Sequence, residues 1–194
     1  GSLSRRGWIL LASGLPVLAL FALLAWASMK SGGNPGGFGV NAEFGQVEVS
    51  ADQADDFSLK LMAGGTLTLS ELRGKAVMVD FWSSWCPPCR REAPVLAEVY
   101  LEYEGLPVEF VGVDIWDVPS AAQEHIDRYN VPYPNGIDAD GIIVINYGVT
   151  GLPEKFFISP EGTIVKKFVG PMSPSKLRGI LNDMLDPSSP LPGQ

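Results

Sequence analysis

A nearly unbroken apolar run ends at a pair of cysteines, and that junction constrains the fold more than any other feature of the chain. Ala76-Val-Met-Val-Asp-Phe-Trp82 suits a strand buried on both faces, with Asp80 its one charged residue. Cys86-Pro87-Pro88-Cys89 follows directly. Pro87 falls where the first helical residue would stand, a position at which a missing N–H costs nothing, so the helix is expected to begin at the motif itself. Beyond it, Leu96, Val99, Tyr100 and Tyr103 recur at helical spacing, with Pro94 predicted to kink the helix early. A second buried strand is expected over Val108 to Val113.

The flanking segments extend this pattern. Phe57-Ser-Leu-Lys-Leu-Met62 and Thr66-Leu-Thr-Leu69 alternate across Ala63-Gly64-Gly65 and predict a β-hairpin. Ala121 to Tyr129 reads as a helix that stops before the breaker-rich Val131-Pro-Tyr-Pro-Asn-Gly136. Lys155-Phe-Phe-Ile158 and Thr163-Ile-Val-Lys-Lys-Phe-Val169 are strands joined by the tight turn Ser159-Pro-Glu-Gly162. Ser175 to Leu185 closes as an amphipathic helix with Leu177, Ile180, Leu181, Met184 and Leu185 on one face. Alternating strands and helices argue for an α/β fold with a central sheet covered on both faces.

The ends read differently. Trp8 to Ala27 holds no charged residue over a length that, as a helix, matches the hydrocarbon thickness of a bilayer, about 30 Å. Residues 1–30 are therefore expected to be a single-pass membrane anchor through residues 8–27, or alternatively a signal peptide cleaved near Ala25-Trp26-Ala27. Arg5 and Arg6 before the run, against Lys30 after it, favour an extracytoplasmic location for everything downstream. Ser31 to Gly39 is too poor in side chains to pack, so 31–54 reads as a flexible linker. The folded domain is expected over 55–185, and the proline-rich 186–194 as a disordered tail.

Charge excludes one class of function. Three of the fourteen basic residues lie in the first thirty, leaving eleven against twenty-two acids, a net −11 over the remainder. So acidic a chain repels nucleic acid, and no nucleic-acid partner is expected.

The cysteines carry the chemistry. At a helix N-terminus the sulfur of Cys86 faces the positive end of the helix dipole, which stabilises a thiolate. Cys86 is thus the expected solvent-accessible nucleophile, and Cys89, one turn inside, the resolving thiol that attacks a mixed disulfide on Cys86. Pro87 and Pro88 remove two N–H donors from around the thiolate, which predicts a more reducing pair than in a strong oxidant. Two other readings compete. A structural disulfide would close too short a loop to constrain the unfolded chain much. A metal site would need about four ligands, yet there is no third cysteine, and the single histidine, His125, lies in a separate predicted helix.

With these residues in view, Asp80-Phe-Trp-Ser-Ser-Trp85-Cys86-Pro87-Pro88-Cys89 closely resembles the active-site segment of thioredoxins. Asp80 falls where thioredoxins carry a buried acid, Pro94 where their helix is kinked, and Gly151-Leu152-Pro153-Glu154 resembles their cis-proline loop. The insert between Asp114 and Pro153, the N-terminal apolar run and Glu92 resemble the membrane-tethered TlpA/ResA/CcmG group. That resemblance implies a thioredoxin-like fold with a central insert and an N-terminal hairpin. It also implies a protein disulfide reductase whose substrates include the haem-binding cysteines of apocytochrome c. No cofactor beyond the cysteine pair is expected; the sequence has no Gly-x-Gly-x-x-Gly fingerprint, and the resemblance together with the expected compartment implies a membrane thiol-disulfide electron donor. A general exported reductase or oxidase, or a metal-carrying module on the same fold, stays open.

Each transferred residue has two readings. Asp80 either accepts the proton of Cys89 or is a strand-end acid reaching solvent. Glu92 either shuttles protons or is a surface acid complementing the helix dipole. Leu152 and Pro153 are expected to offer a backbone edge on which an extended substrate pairs, with Pro153 cis and Glu154 either bordering the groove or exposed. Trp85, with Pro87 and Pro88, is expected over the cysteines, Trp82 in the core, Trp116 in packing, and His125 as an ordinary helix residue.

Overall fold

In the computed structural model residues 15–26, 39–41, 44–47 and 49–186 are described. The chain divides into two units, Gly1–Gly39 and Val40–Gln194. Within the first, residues 15–26 form a helix, α1, whose side chains are exposed. At 1.5 Å per residue the described residues 15–26 span roughly 18 Å, less than the hydrocarbon thickness. Among the described residues no helix is long and apolar enough to cross a membrane. This corrects the single-pass anchor expected over 8–27. The parts of that stretch at 8–14 and 27 lie outside the described residues, as do 187–194 of the expected tail.

The second unit is built on a six-stranded mixed sheet. Its strands in chain order are β2 (Gly45–Val47), β5 (Ala76–Trp82), β6 (Val108–Asp114), β7 (Asn135–Ile137), β9 (Glu154–Ile158) and β10 (Ile164–Val169), and they lie in the order β2-β10-β9-β5-β6-β7. β5 is central, parallel to β6 and antiparallel to β9, and all seven of its residues are buried. Such a strand has no solvent face, which is why it reads as a continuous apolar run. Two short pairs complete the strands: the hairpin β3 (Ser58–Lys60) with β4 (Thr66–Thr68), and β1 (Gly39–Val40) with β8 (Gly151–Leu152).

The period of two along β5 sorts the core into layers. Ala76 and Met78 face α2 (Pro87–Glu102) and α5 (Pro174–Leu185), where Leu96, Val99, Leu177, Ile180 and Leu181 are buried with them. Val77, Val79 and Phe81 face the hairpin and α4 (Ile142–Asn146), packing with Leu59, Leu67, Ile143, Val144 and Tyr147. α3 (Pro119–Tyr129) follows β6. The expected sheet with both faces covered is what forms, hairpin and central insert included.

The linker expected over 31–54 is corrected in part, because two stretches of it are strands: Gly45–Val47 pairs with β10, and Val40 belongs to β1. Gln53 also bridges to Thr163. These segments are too short and glycine-rich to announce themselves; partners more than a hundred residues away order them.

Candidate active site

The turn after β5 delivers the cysteines. Ser83 donates its hydroxyl to the carbonyl of Ile115, the Ser84 N–H donates to Asp117 Oδ2 at 2.6 Å, and the Trp85 indole N–H donates to the Trp116 carbonyl at 3.0 Å. Three consecutive residues are thus tied to the three that follow β6. Cys86 then stands as N-cap of α2, with Pro87 and Pro88 opening the helix. The Cys89 N–H donates to Cys86 Sγ at 3.3 Å. An N-cap side chain normally draws on the N–H groups of the second and third helical residues, and Pro88 has none to give.

Cys86 and Cys89 are joined as a disulfide with their Cα atoms 5.3 Å apart. Both are buried, at 0% and 2% exposure. Cys86 is therefore not the solvent-accessible sulfur expected from its place at the helix start. Of the residues expected above the pair, Pro87 is exposed and Pro88 buried, while Trp85 is 40% exposed and held by its indole N–H.

Asp80 is buried, which removes the reading of a strand-end acid in solvent. It shares one small cavity, of about 10 Å³, with Cys89, Trp82, His125 and Tyr133. Sheet register sets Lys155 directly across from Asp80, so the two side chains rise from the same face. Lys155 Nζ is 3.1 Å from Asp80 Oδ1 and donates to Glu92 Oε1 at 2.5 Å. Glu92 Oε2 accepts the Met172 N–H at 3.0 Å. Three ionisable groups from β5, α2 and β9 are thus buried together, two acids against one base, which carry one excess negative charge when all are ionised.

The electrostatics follow from that count. Burial raises Asp80 above the ordinary carboxylate range, although the neighbouring Lys155 charge opposes it. Glu92 is pushed up to about 7, by burial first and by the Asp80 charge also, against the pull of Lys155. Burial works to lower Lys155, but the two carboxylates outweigh it and hold the ammonium above its usual value. Glu92 is thus no surface acid. It belongs to the core charge cluster, and nothing in its helical spacing, only the tertiary fold, could reveal Lys155 as its partner.

The loop carrying Pro153 is built around another buried acid. The Leu152–Pro153 peptide bond is cis, as expected. Glu154 Oε1 accepts the N–H groups of Thr150 and Gly151, both at 3.2 Å, and Oε2 lies 2.7 Å from Lys167 Nζ. With 0% exposure, Glu154 neither borders a groove nor faces solvent; it holds the loop from within. Leu152 is also fully buried.

Two aromatic expectations change as well. His125 is buried, its ring stacked on Trp82 at 4.4 Å, and burial pushes it down to about 4, so it is neutral at pH 7. The Trp82 indole N–H donates to Asn135 Oδ1 at 3.0 Å, fixing it in the core as expected. Trp116 is 40% exposed with a left-handed φ of 54°, and its carbonyl ties it to the active-site turn by accepting the Trp85 indole N–H.

A redox disulfide capping a helix, a buried acid behind it and a cis-proline loop on a mixed α/β sheet meet their counterparts among known proteins. Residues 50–167 match the AhpC/TSA family. The chain belongs to that family. Its relatives include the thiol-disulfide oxidoreductase ResA of Oceanobacillus iheyensis, 35% identical over 69% of this chain and 71% of that protein. ResA of Bacillus subtilis is 34% identical over 73% of this chain and 80% of its own length. Among solved structures, a secreted Mycobacterium tuberculosis disulfide oxidoreductase homologous to E. coli DsbE superposes with a TM-score of 0.59. That match is 32% identical and covers 65% of this chain and 94% of the other. This AhpC/TSA member has the thioredoxin-like fold and is a thiol-disulfide oxidoreductase of the ResA/DsbE type.

Proposed function

We propose that the chain works in the reducing direction, opening disulfides in protein substrates such as the haem-binding cysteine pair of apocytochrome c. In the reduced enzyme the Cys86 thiolate attacks one sulfur of the substrate disulfide, forming a mixed disulfide and expelling the other sulfur as a thiolate. Cys89 loses its proton and attacks Cys86 Sγ, which releases the second substrate thiolate and leaves the Cys86–Cys89 disulfide. Two electrons have then passed to the substrate, and a separate dithiol protein must return two to the enzyme.

The cavity shared by Asp80 and Cys89 carries this reading. Its volume is about that of a single water probe, enough for one bridging water at most. A carboxylate kept basic by burial beside the resolving thiol is the group needed to take its proton. The turn chemistry supports the direction. With no N–H on Pro87 or Pro88, the Cys86 thiolate gains few hydrogen bonds, which disfavours a strongly oxidising disulfide.

A Cys89→Ser chain should trap protein partners on Cys86, identified by mass spectrometry of the adducts, with apocytochrome c among them. Asp80→Asn should leave the first attack intact and slow resolution of the mixed disulfide by about 10²-fold. Failure of the Cys89→Ser chain to hold any protein through a disulfide would defeat the proposal.

A further inference from the structure

The backbone edge at Leu152, which shares an apolar cluster with Cys86 and Cys89, already has an occupant. The Asn41 N–H donates to the Leu152 carbonyl at 2.9 Å, and Asn41 Nδ2 donates to the Pro153 carbonyl at 3.0 Å. Val40, half-buried, packs against the apolar cluster that contains Leu152, Cys86 and Cys89. Farther along, Gly45–Val47 is fastened to β10. The segment is therefore anchored on its downstream side while Val40 and Asn41 lie on the edge of β8 as an extended strand.

A protein whose disulfide is to be attacked at Cys86 needs an extended segment near that sulfur, and strand addition to an open edge is the general way such segments dock. The accepting carbonyl on this edge is that of Leu152, and Asn41 holds it. The hydrogen bonds of Asn41 and the half-buried side chain of Val40 are the contacts such a segment would release to open locally without unfolding the domain.

Resting on the reductase reading above, we infer that Val40–Asn41 is an intramolecular occupant of the substrate-docking edge, and that an extended, disulfide-bearing segment of a partner protein displaces it to reach Cys86. The fit names the substrate's chemistry. The displacing segment supplies a backbone N–H to the Leu152 carbonyl, a side-chain donor to the Pro153 carbonyl, and a small or β-branched apolar residue where Val40 sits.

The test uses the full chain. Asn41→Pro removes the backbone N–H and the carboxamide together, and should speed reduction of the Cys86–Cys89 disulfide by dithiothreitol about tenfold, read by alkylation gel shift. Val40→Ala keeps the pairing and should give a smaller increase. An unchanged rate in both variants would overturn the inference. A second measurement needs no change in the strand: hydrogen exchange at the Asn41 amide in the Cys89→Ser background. The amide should be protected in the free chain and lose protection once a disulfide-bearing peptide is linked to Cys86; protection that persists in the adduct overturns the inference too. These outcomes are separable from the reductase reading. Faster reaction with dithiothreitol without turnover of any protein disulfide would defeat that reading alone, and unchanged rates with normal protein turnover would defeat only the displaced strand.

Discussion

Lys155 Nζ lies 2.5 Å from Glu92 Oε1, joining β9 to α2 through two side chains buried at 0% and 3% exposure. Asp80 completes the cluster from β5, so a single ammonium stands between two carboxylates in the interior.

Removing that ammonium leaves the carboxylates facing each other. Lys155→Met, close in length and uncharged, should lower stability by roughly 3–5 kcal/mol at pH 8, measured by urea denaturation. Combining it with Asp80→Asn and Glu92→Gln should recover most of the loss, because a buried ion cluster replaced as a whole costs little. A loss under about 1 kcal/mol for the single variant would mean that the cluster is hydrated and not sealed.

Stability should depend on pH through Glu92 with a defined sign. Its carboxyl titrates near 7 in the fold against an ordinary value of 4.5, so between those limits the folded chain keeps a proton that the unfolded chain has released. The stabilisation is full below 4.5 and is lost as pH rises through 7. His125 acts oppositely: lowered from 6.5 to about 4, it contributes stability above 6.5 that is lost as pH falls through 4. The two partly cancel in the parent chain. Urea midpoints of the parent and Glu92→Gln compared between pH 5 and 7.5 isolate the first effect, and the variant should lack the downward component. Parallel curves would remove Glu92 from the titrating cluster.

The paired prolines make a separate prediction about potential. Pro88→Ala restores the one N–H that an N-cap sulfur at Cys86 is missing, and should raise the reduction potential by about 30 mV, the equivalent of one added hydrogen bond to the thiolate. Equilibration against glutathione or dithiothreitol buffers gives the value. The parent should lie well below a strong oxidant at roughly −120 mV. A lower potential in the variant would reverse the role assigned to the prolines.

What could be read along the chain was what local chemistry decides. The strand into Cys86, the helix opened by Pro87 and Pro88 and the hairpin around Gly64-Gly65 each follow from residues within a few positions of one another, while the cis bond before Pro153 was expected from the resemblance to thioredoxins. Features set by distant pairing were hidden. Lys155 reads as one more residue of a strand until register puts it across from Asp80, and Glu154 reads as a groove-bordering or exposed acid until the Thr150–Gly151 amides and Lys167 close on it. His125 owes its burial to Trp82, which precedes it by more than forty residues. The N-terminal apolar run misled for the opposite reason: hydropathy registers composition over a window, whereas among the described residues no helix is long and apolar enough to cross a membrane.

Trp82 shares the wall of a small cavity with Cys89, its indole fixed by Asn135 on one side and by a neutral imidazole on the other. A ring so placed has few ways to move, so changes in its fluorescence report on the neighbouring sulfurs more than on its own motion. A disulfide quenches an excited indole more than two thiols do. Emission from Trp82 should therefore rise as electrons arrive and fall as they leave, which stopped-flow fluorescence of the unlabelled chain would check.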